Sequence, residues 1–170
     1  MADVLVVFYP RSKVTERAAR WIANDLEADV DRIPELPEHG PLSWPRRAAA
    51  ALRSMARPAS NPRPIHLNDY AVVVVGTPVW DAGLSSAVRT YLKHDTLLAP
   101  EVAFFCTSRD DGGDRALERM AQCARRVPVA RLALAHQDVA GERKRPEVDE
   151  FVRVVRARVA RDKRGPDEPS

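Results

Sequence analysis

AVVVVGTPVWDAGLSSAVRTYL, residues 71–92, decides the fold. Ala71 to Val75 is a continuous apolar run rich in β-branched residues, closed by Gly76. Such a run, with no polar alternation, reads as a strand buried on both faces and therefore central in a parallel sheet. The polar turn Thr77-Pro78-Val79-Trp80-Asp81-Ala82-Gly83 follows, and then Leu84, Ala87, Val88, Tyr91 and Leu92 recur at helical spacing. The order is strand, loop, helix. In a doubly wound sheet such a loop lies outside the carboxyl ends of the strands, where ligands bind. The indole of Trp80 then has two readings: one wall of a ligand site, or apolar area packed on the helix that follows.

The same unit recurs on both sides. Val4 to Phe8 is a first apolar run, and after the turn Tyr9-Pro10-Arg11-Ser12-Lys13 the residues Val14, Ala18, Trp21, Ile22 and Leu26 take up helical spacing. Asp29 to Ile33 reads as a short edge strand. Beyond the central unit, Glu101 to Thr107 is another buried strand, and the loop to Asp114 leads into a helix carrying Leu117, Met120, Ala121 and Ala124. Val127 to Ala135 reads as the last strand. Pro146 opens a final helix with Val148, Phe151, Val152, Val155 and Val159 toward the core. Alternation of strand and helix demands parallel strands with helices on both faces, an α/β doubly wound architecture. The loops beginning at Tyr9, Thr77 and Thr107 should meet at one carboxyl edge, and His136, just after the last strand and near that edge, reads first as a surface residue and second as a substrate contact. Residues 1–161 read as one domain, and the polar residues 162–170 as a disordered tail.

Seven of the fourteen prolines fall between Pro34 and Pro64, which keeps regular structure there brief. Ser43 followed by Pro45 looks like a helix start, with Ala48, Leu52, Met55 and Ala56 on one face, so a short helix is expected over about residues 44–57. The connection is long. It is a lid, a contact in a homodimer, or a plain surface loop.

Composition excludes several functions. With 170 residues, 45% apolar and 30% charged, the chain can bury one sizeable core. A net charge of +3 spread over several segments, without aromatic-interleaved basic stretches, gives no nucleic-acid footprint. The first apolar run follows Asp3 with no basic start or cleavage site, and no run approaches the roughly 20 residues of a membrane span. Cys106 and Cys123 are too few for a disulfide framework, so a reducing cytoplasm is the expected home. His39, His66, His94 and His136 have no metal-ligand spacing. A phosphoacceptor receiver domain would need acids where Tyr9-Pro10 and Gly76-Thr77 stand, a small tyrosine phosphatase a cysteine in the first loop, and a dinucleotide-binding unit G-x-G-x-x-G there.

Three segments, VLVVFYPRSKVTERAARWIA, DYAVVVVGTPVWDAGLSSAVRTYL and VAFFCTSRDDGGDRALERM, resemble the flavodoxin-like family, small flavoproteins that bind FMN without a covalent link. The resemblance implies a five-stranded parallel sheet of strand order 2-1-3-4-5 and FMN as cofactor. In the family the first loop holds the FMN phosphate with hydroxyls and backbone N–H groups at a helix start, where the dipole favours an anion. The usual pattern there is a hydroxyl residue, any residue, Thr, Gly, Asn, Thr. Here those places hold Pro10, Arg11, Ser12, Lys13, Val14 and Thr15. Ser12 and Thr15 keep two hydroxyls, Pro10 lacks both hydroxyl and N–H, Lys13 replaces the flexible glycine, and Arg11 and Lys13 bring positive charge. By the same resemblance Thr77, Pro78, Val79 and Trp80 form one wall for the isoalloxazine ring. Thr107, Ser108, Gly112 and Gly113 form the other, beside the charged Arg109, Asp110 and Asp111, of which the two acids are expected to point outward.

The function implied is FMN-dependent electron transfer or a small oxidoreductase activity, quinone reductase-like activity included, with a redox partner or small-molecule acceptor. The alternative is a flavodoxin-fold protein that has lost FMN and serves as an interaction or regulatory module. Cys106 reads as core rather than redox-active.

Overall fold

A computed structural model describes residues 2–34, 65–79, 83–109, 111–143 and 146–163. The helix expected over about residues 44–57, the proline-rich connection around it and the tail 164–170 lie outside the described residues. Five parallel strands form one sheet in the order β2-β1-β3-β4-β5. They are β1 (Val4–Phe8), β2 (Asp29–Arg32), β3 (Val72–Pro78), β4 (Glu101–Ser108) and β5 (Arg131–Ala135). The helices are α1 (Lys13–Leu26), α2 (Ser86–His94), α3 (Gly113–Ala124), the short α4 (His136–Ala140) and α5 (Pro146–Asp162).

Strand periodicity divides the core in two. Leu5, Val7, Val73, Val75, Val102 and Phe104 point to one face and pack on α2 and α3 through Val88, Leu92, Leu117 and Met120. Val4, Val6, Phe8, Val72, Val74, Ala103 and Phe105 point to the other, against Ala18, Ile22 and Leu26 of α1 and Phe151 and Val155 of α5. β1, β3 and β4 are buried almost throughout because helices cover both sides. Edge strand β2 alternates, as half-covered strands do.

Several boundaries differ from the expectation. β3 does not end at Gly76 but continues through Thr77 and Pro78, pairing with Cys106 and Thr107 of β4. Proline is tolerated there because β1 ends at Phe8, opposite Gly76, so the side on which Pro78 lacks an N–H has no further ladder to join. β5 begins at Arg131 rather than Val127. Arg125 closes α3 in the left-handed conformation, and Val127, 86% exposed, lies outside the sheet. At the carboxyl end α5 runs to Asp162, one residue past the expected boundary, and Lys163 pairs with Asp3 at 2.7 Å.

Gly76 is required by its neighbour across the sheet. A Cβ there would lie 2.0 Å from Cζ of Phe105, whose ring fills the space over the glycine.

Candidate functional site

At the carboxyl edge, β1 hands over to α1 through residues 9–12. Ser12 caps α1: its Oγ accepts from the Thr15 N–H at 3.4 Å, and Glu16 follows in the first turn. β3 delivers Pro78 and Val79 alongside, with the Val79 N–H donating to the Thr107 carbonyl at 2.9 Å. β4 ends in Thr107 and Ser108, and β5 runs directly into His136. These ends enclose a cleft of about 120 Å³ lined by Arg11, Ser12, Pro78, Val79, Thr107, Ser108, Arg109 and His136. That volume suits a phosphate-sized group rather than a whole nucleotide.

The chemistry of the lining is one-sided. Two guanidinium groups and an imidazole stand beside three hydroxyls, Pro78 and Val79 supply apolar surface, and none of the described residues lining the cleft is a carboxylic acid. Such a set favours an anion in a concave site. The Ser12 hydroxyl, accepting from the helix, keeps its own proton to donate.

The structure therefore gathers Arg11, Ser12, Pro78, Val79, Thr107 and Ser108 from among the residues expected at the site. Others lie elsewhere. Thr15 is fully buried, and its hydroxyl lies 2.7 Å from that of Thr107, beneath the cleft. Thr77 is also fully buried and donates to the Pro78 carbonyl at 3.0 Å. Lys13 is exposed and Val14 half-buried, and neither lines the cleft. Gly112 precedes α3, and a Cβ on Gly113 would meet Cβ of Ala133 at 2.8 Å, so that glycine serves helix–sheet packing. Trp80, Asp81 and Ala82 lie outside the described residues, as does Asp110.

Arg109, outside the set of residues expected at the site, and His136, read first as a surface residue, both line the cleft. For His136 the signal was positional: a strand paired next to β4 must end at the same edge, so the residue after Ala135 arrives there too. Its helix is anchored. Val139 is fully buried, and Arg17 of α1 donates to the carbonyls of Val139 (3.4 Å) and Ala140 (3.1 Å) at the end of α4.

Two further groups bear on the chemistry. Cys106 is fully buried, and its Sγ donates to the Gly113 carbonyl at 3.5 Å. Burial first, and Asp114 second, push this thiol up to about 12. It stays protonated at neutral pH and is no nucleophile. Glu16 accepts from Arg20 and Arg32, each at 2.9 Å, while the Arg32 guanidinium sits 5.7 Å from the centroid of the Phe8 ring. The hydrogen bond from Arg20 is the main influence holding the Glu16 carboxyl below its ordinary range, despite an opposing effect of burial. Among the described residues no cluster of three or more potential metal ligands occurs, and no helix is long and apolar enough to cross a membrane.

The fold has close counterparts among solved structures. A flavoprotein from Lactobacillus acidophilus NCFM, determined in complex with FMN, superposes with a TM-score of 0.56 at 19% identity, covering 85% of this chain and 100% of that one. A flavodoxin from the domain Archaea gives a TM-score of 0.56 at 15% identity, covering 94% and 98%. No curated protein matches the sequence. The family model described as Flavodoxin, however, matches residues 3–148, the span that carries all five strands and the cleft. The chain belongs to the flavodoxin family.

Proposed function

We propose that the protein binds FMN at the carboxyl edge of the sheet and transfers electrons, as a carrier or as a small oxidoreductase. The observation that carries this reading is the cleft where the ends of β1, β3, β4 and β5 converge, whose described lining is cationic and hydroxyl-rich, next to the apolar surface of Pro78 and Val79. It lies at the point where the strand order reverses, the expected ligand position in an open α/β sheet. Membership of the flavodoxin family and the FMN complex of a structural relative support it further.

In this reading Arg11, Ser12 and the backbone N–H groups opening α1 hold the phosphate. Pro78, Val79 and Trp80 give the ring an apolar wall, and Thr107 and Ser108 close the opposite side. FMN, when bound, supplies the exchange of one or two electrons. The chain binds, orients and shields it from water. The partner would be a second redox protein or a small acceptor such as a quinone, and the setting a reducing cytoplasm, in keeping with the two free cysteines. Residues 1–161 would act as one domain.

A second reading, an interaction module that does not use FMN, draws support from Pro10 and from Thr15, whose hydroxyl is committed to Thr107. A fluorescence-quenching titration with FMN, beside an absorption spectrum of the purified protein, separates the two. Saturable quenching at about micromolar affinity or better supports the flavoprotein; its absence at millimolar FMN supports the module.

A further inference from the structure

His136 reaches the cleft from a direction independent of the first loop. It follows β5 without a linker, at the start of a helix anchored by the buried Val139 and by Arg17. It lines the same small cleft as Ser12, the cap of α1, and as Arg11 and Arg109. An imidazole is the side chain whose charge ordinarily changes between about pH 5 and pH 8. Here it lines a concavity whose other described charged residues are Arg11 and Arg109.

We propose that His136 is a specificity-determining residue of this site: it contacts the ligand's phosphate and, in its protonated form, makes the chain prefer FMN over riboflavin more strongly as pH falls. The proposal rests on the FMN reading above. It also accounts for a first loop that binds an anion with Pro10 in place of a donor, because the missing contact is supplied from β5.

The charged groups around α4 are consistent with this role. From the loops come Arg11, Arg109 and Asp111, and from α4 itself the buried Asp138. α1, packed against α4, presents Lys13, Glu16 and Arg17. Of these, Glu16 is paired with Arg20 and Arg32, and Arg17 with the α4 carbonyls and Glu142. β5 adds Arg131, paired with Glu118. Among the described residues the other charged side chains lining the cleft are cationic, and an anion bound beside an imidazole favours the imidazole's charged form, which couples affinity to pH.

The test compares wild type with His136→Gln by flavin-quenching titration at about pH 6 and about pH 8, using FMN and riboflavin. Comparison at the same pH cancels the ligand phosphate's own titration. The variant should lose about tenfold in FMN affinity near pH 6 and about twofold or less near pH 8, with riboflavin affinity unchanged. His136→Lys, a fixed cation, should raise FMN affinity near pH 8 above that of wild type and flatten its pH dependence. Equal losses for FMN and riboflavin, or no loss at either pH, would overturn the proposal. If wild type binds neither flavin, the FMN reading fails, and thermal shifts with inorganic phosphate decide His136 separately. A rise in midpoint near pH 6 that is smaller in His136→Gln than in wild type supports an anion contact, and equal shifts reject it.

Discussion

The hydroxyls of Thr15 and Thr107 lie 2.7 Å apart, both side chains buried, and tie the first turn of α1 to the end of β4 directly beneath the cleft. One donates and the other accepts, so neither polar group is left unsatisfied. Thr15→Val removes one partner and strands the other, at a cost of about 1–3 kcal/mol. Replacing both threonines with valine should cost no more than the single change, because no orphan remains. Denaturant unfolding of the single and double variants measures this. FMN affinity of Thr15→Val should stay within about twofold of wild type, since its hydroxyl faces the protein rather than a ligand.

Gly76 and Phe105 form a second fixed pair. The methyl of Gly76→Ala would overlap the Phe105 ring, which is fully buried, so the ring or the strands must shift to admit it. Destabilisation of about 1–3 kcal/mol or more is expected, the usual cost of overpacking. Phe105→Leu in the same chain should recover part of the loss. A thermal midpoint that Gly76→Ala leaves unmoved would mean that the sheet can give at this point.

The contrast between these pairs shows how much the sequence revealed. Strand identity was legible because β1, β3 and β4 are unbroken apolar runs, while the strand order 2-1-3-4-5 came from the family resemblance. Loops could be assigned to the carboxyl edge by topology alone, which located Ser12, Pro78, Val79, Thr107 and Ser108. Side-chain direction was harder. Thr15 is three and four residues before Ala18 and Ala19 and seven before Ile22, so the phase of α1 turns it into the core whatever its chemistry suggests. Thr77 likewise continues the period-two face of Val73 and Val75 once β3 is extended. Both signals were present, but a hydroxyl near a loop invites a polar reading. Arg109 and His136 depended on tertiary approach. Their place beside Arg11 comes from β4 and β5 ending together, which no local spacing encodes.

Cys106 and Cys123 should behave differently toward a thiol reagent. Cys106 is buried with its thiol pushed up to about 12, chiefly by burial, whereas Cys123 is only partly buried. In the native protein near pH 8, one thiol should react promptly, and Cys123→Ser should abolish that reaction. The second should appear only after unfolding in denaturant. Prompt modification of both in the native state would contradict the buried, protonated thiol.

The Glu16 network predicts a pH-dependent contribution to stability. Its carboxyl is held below the ordinary value of 4.5, mainly by the hydrogen bond from Arg20 and then by the nearby charge of Arg32. The folded state therefore binds its proton less readily than the unfolded chain does. The stabilisation is fully present above the unfolded carboxyl's range and is lost as pH falls through the lowered folded one. Because the arginines are more than half exposed, the pair contributes only modestly, about 0.5 kcal/mol. Glu16→Gln should thus lower stability by about that amount at neutral pH, less at high salt, and the gap from wild type should close in acid. Urea melts at neutral pH and in mild acid measure it. A gap that widened on acidification would show that the stabilisation by Glu16 does not come from its ionised carboxylate.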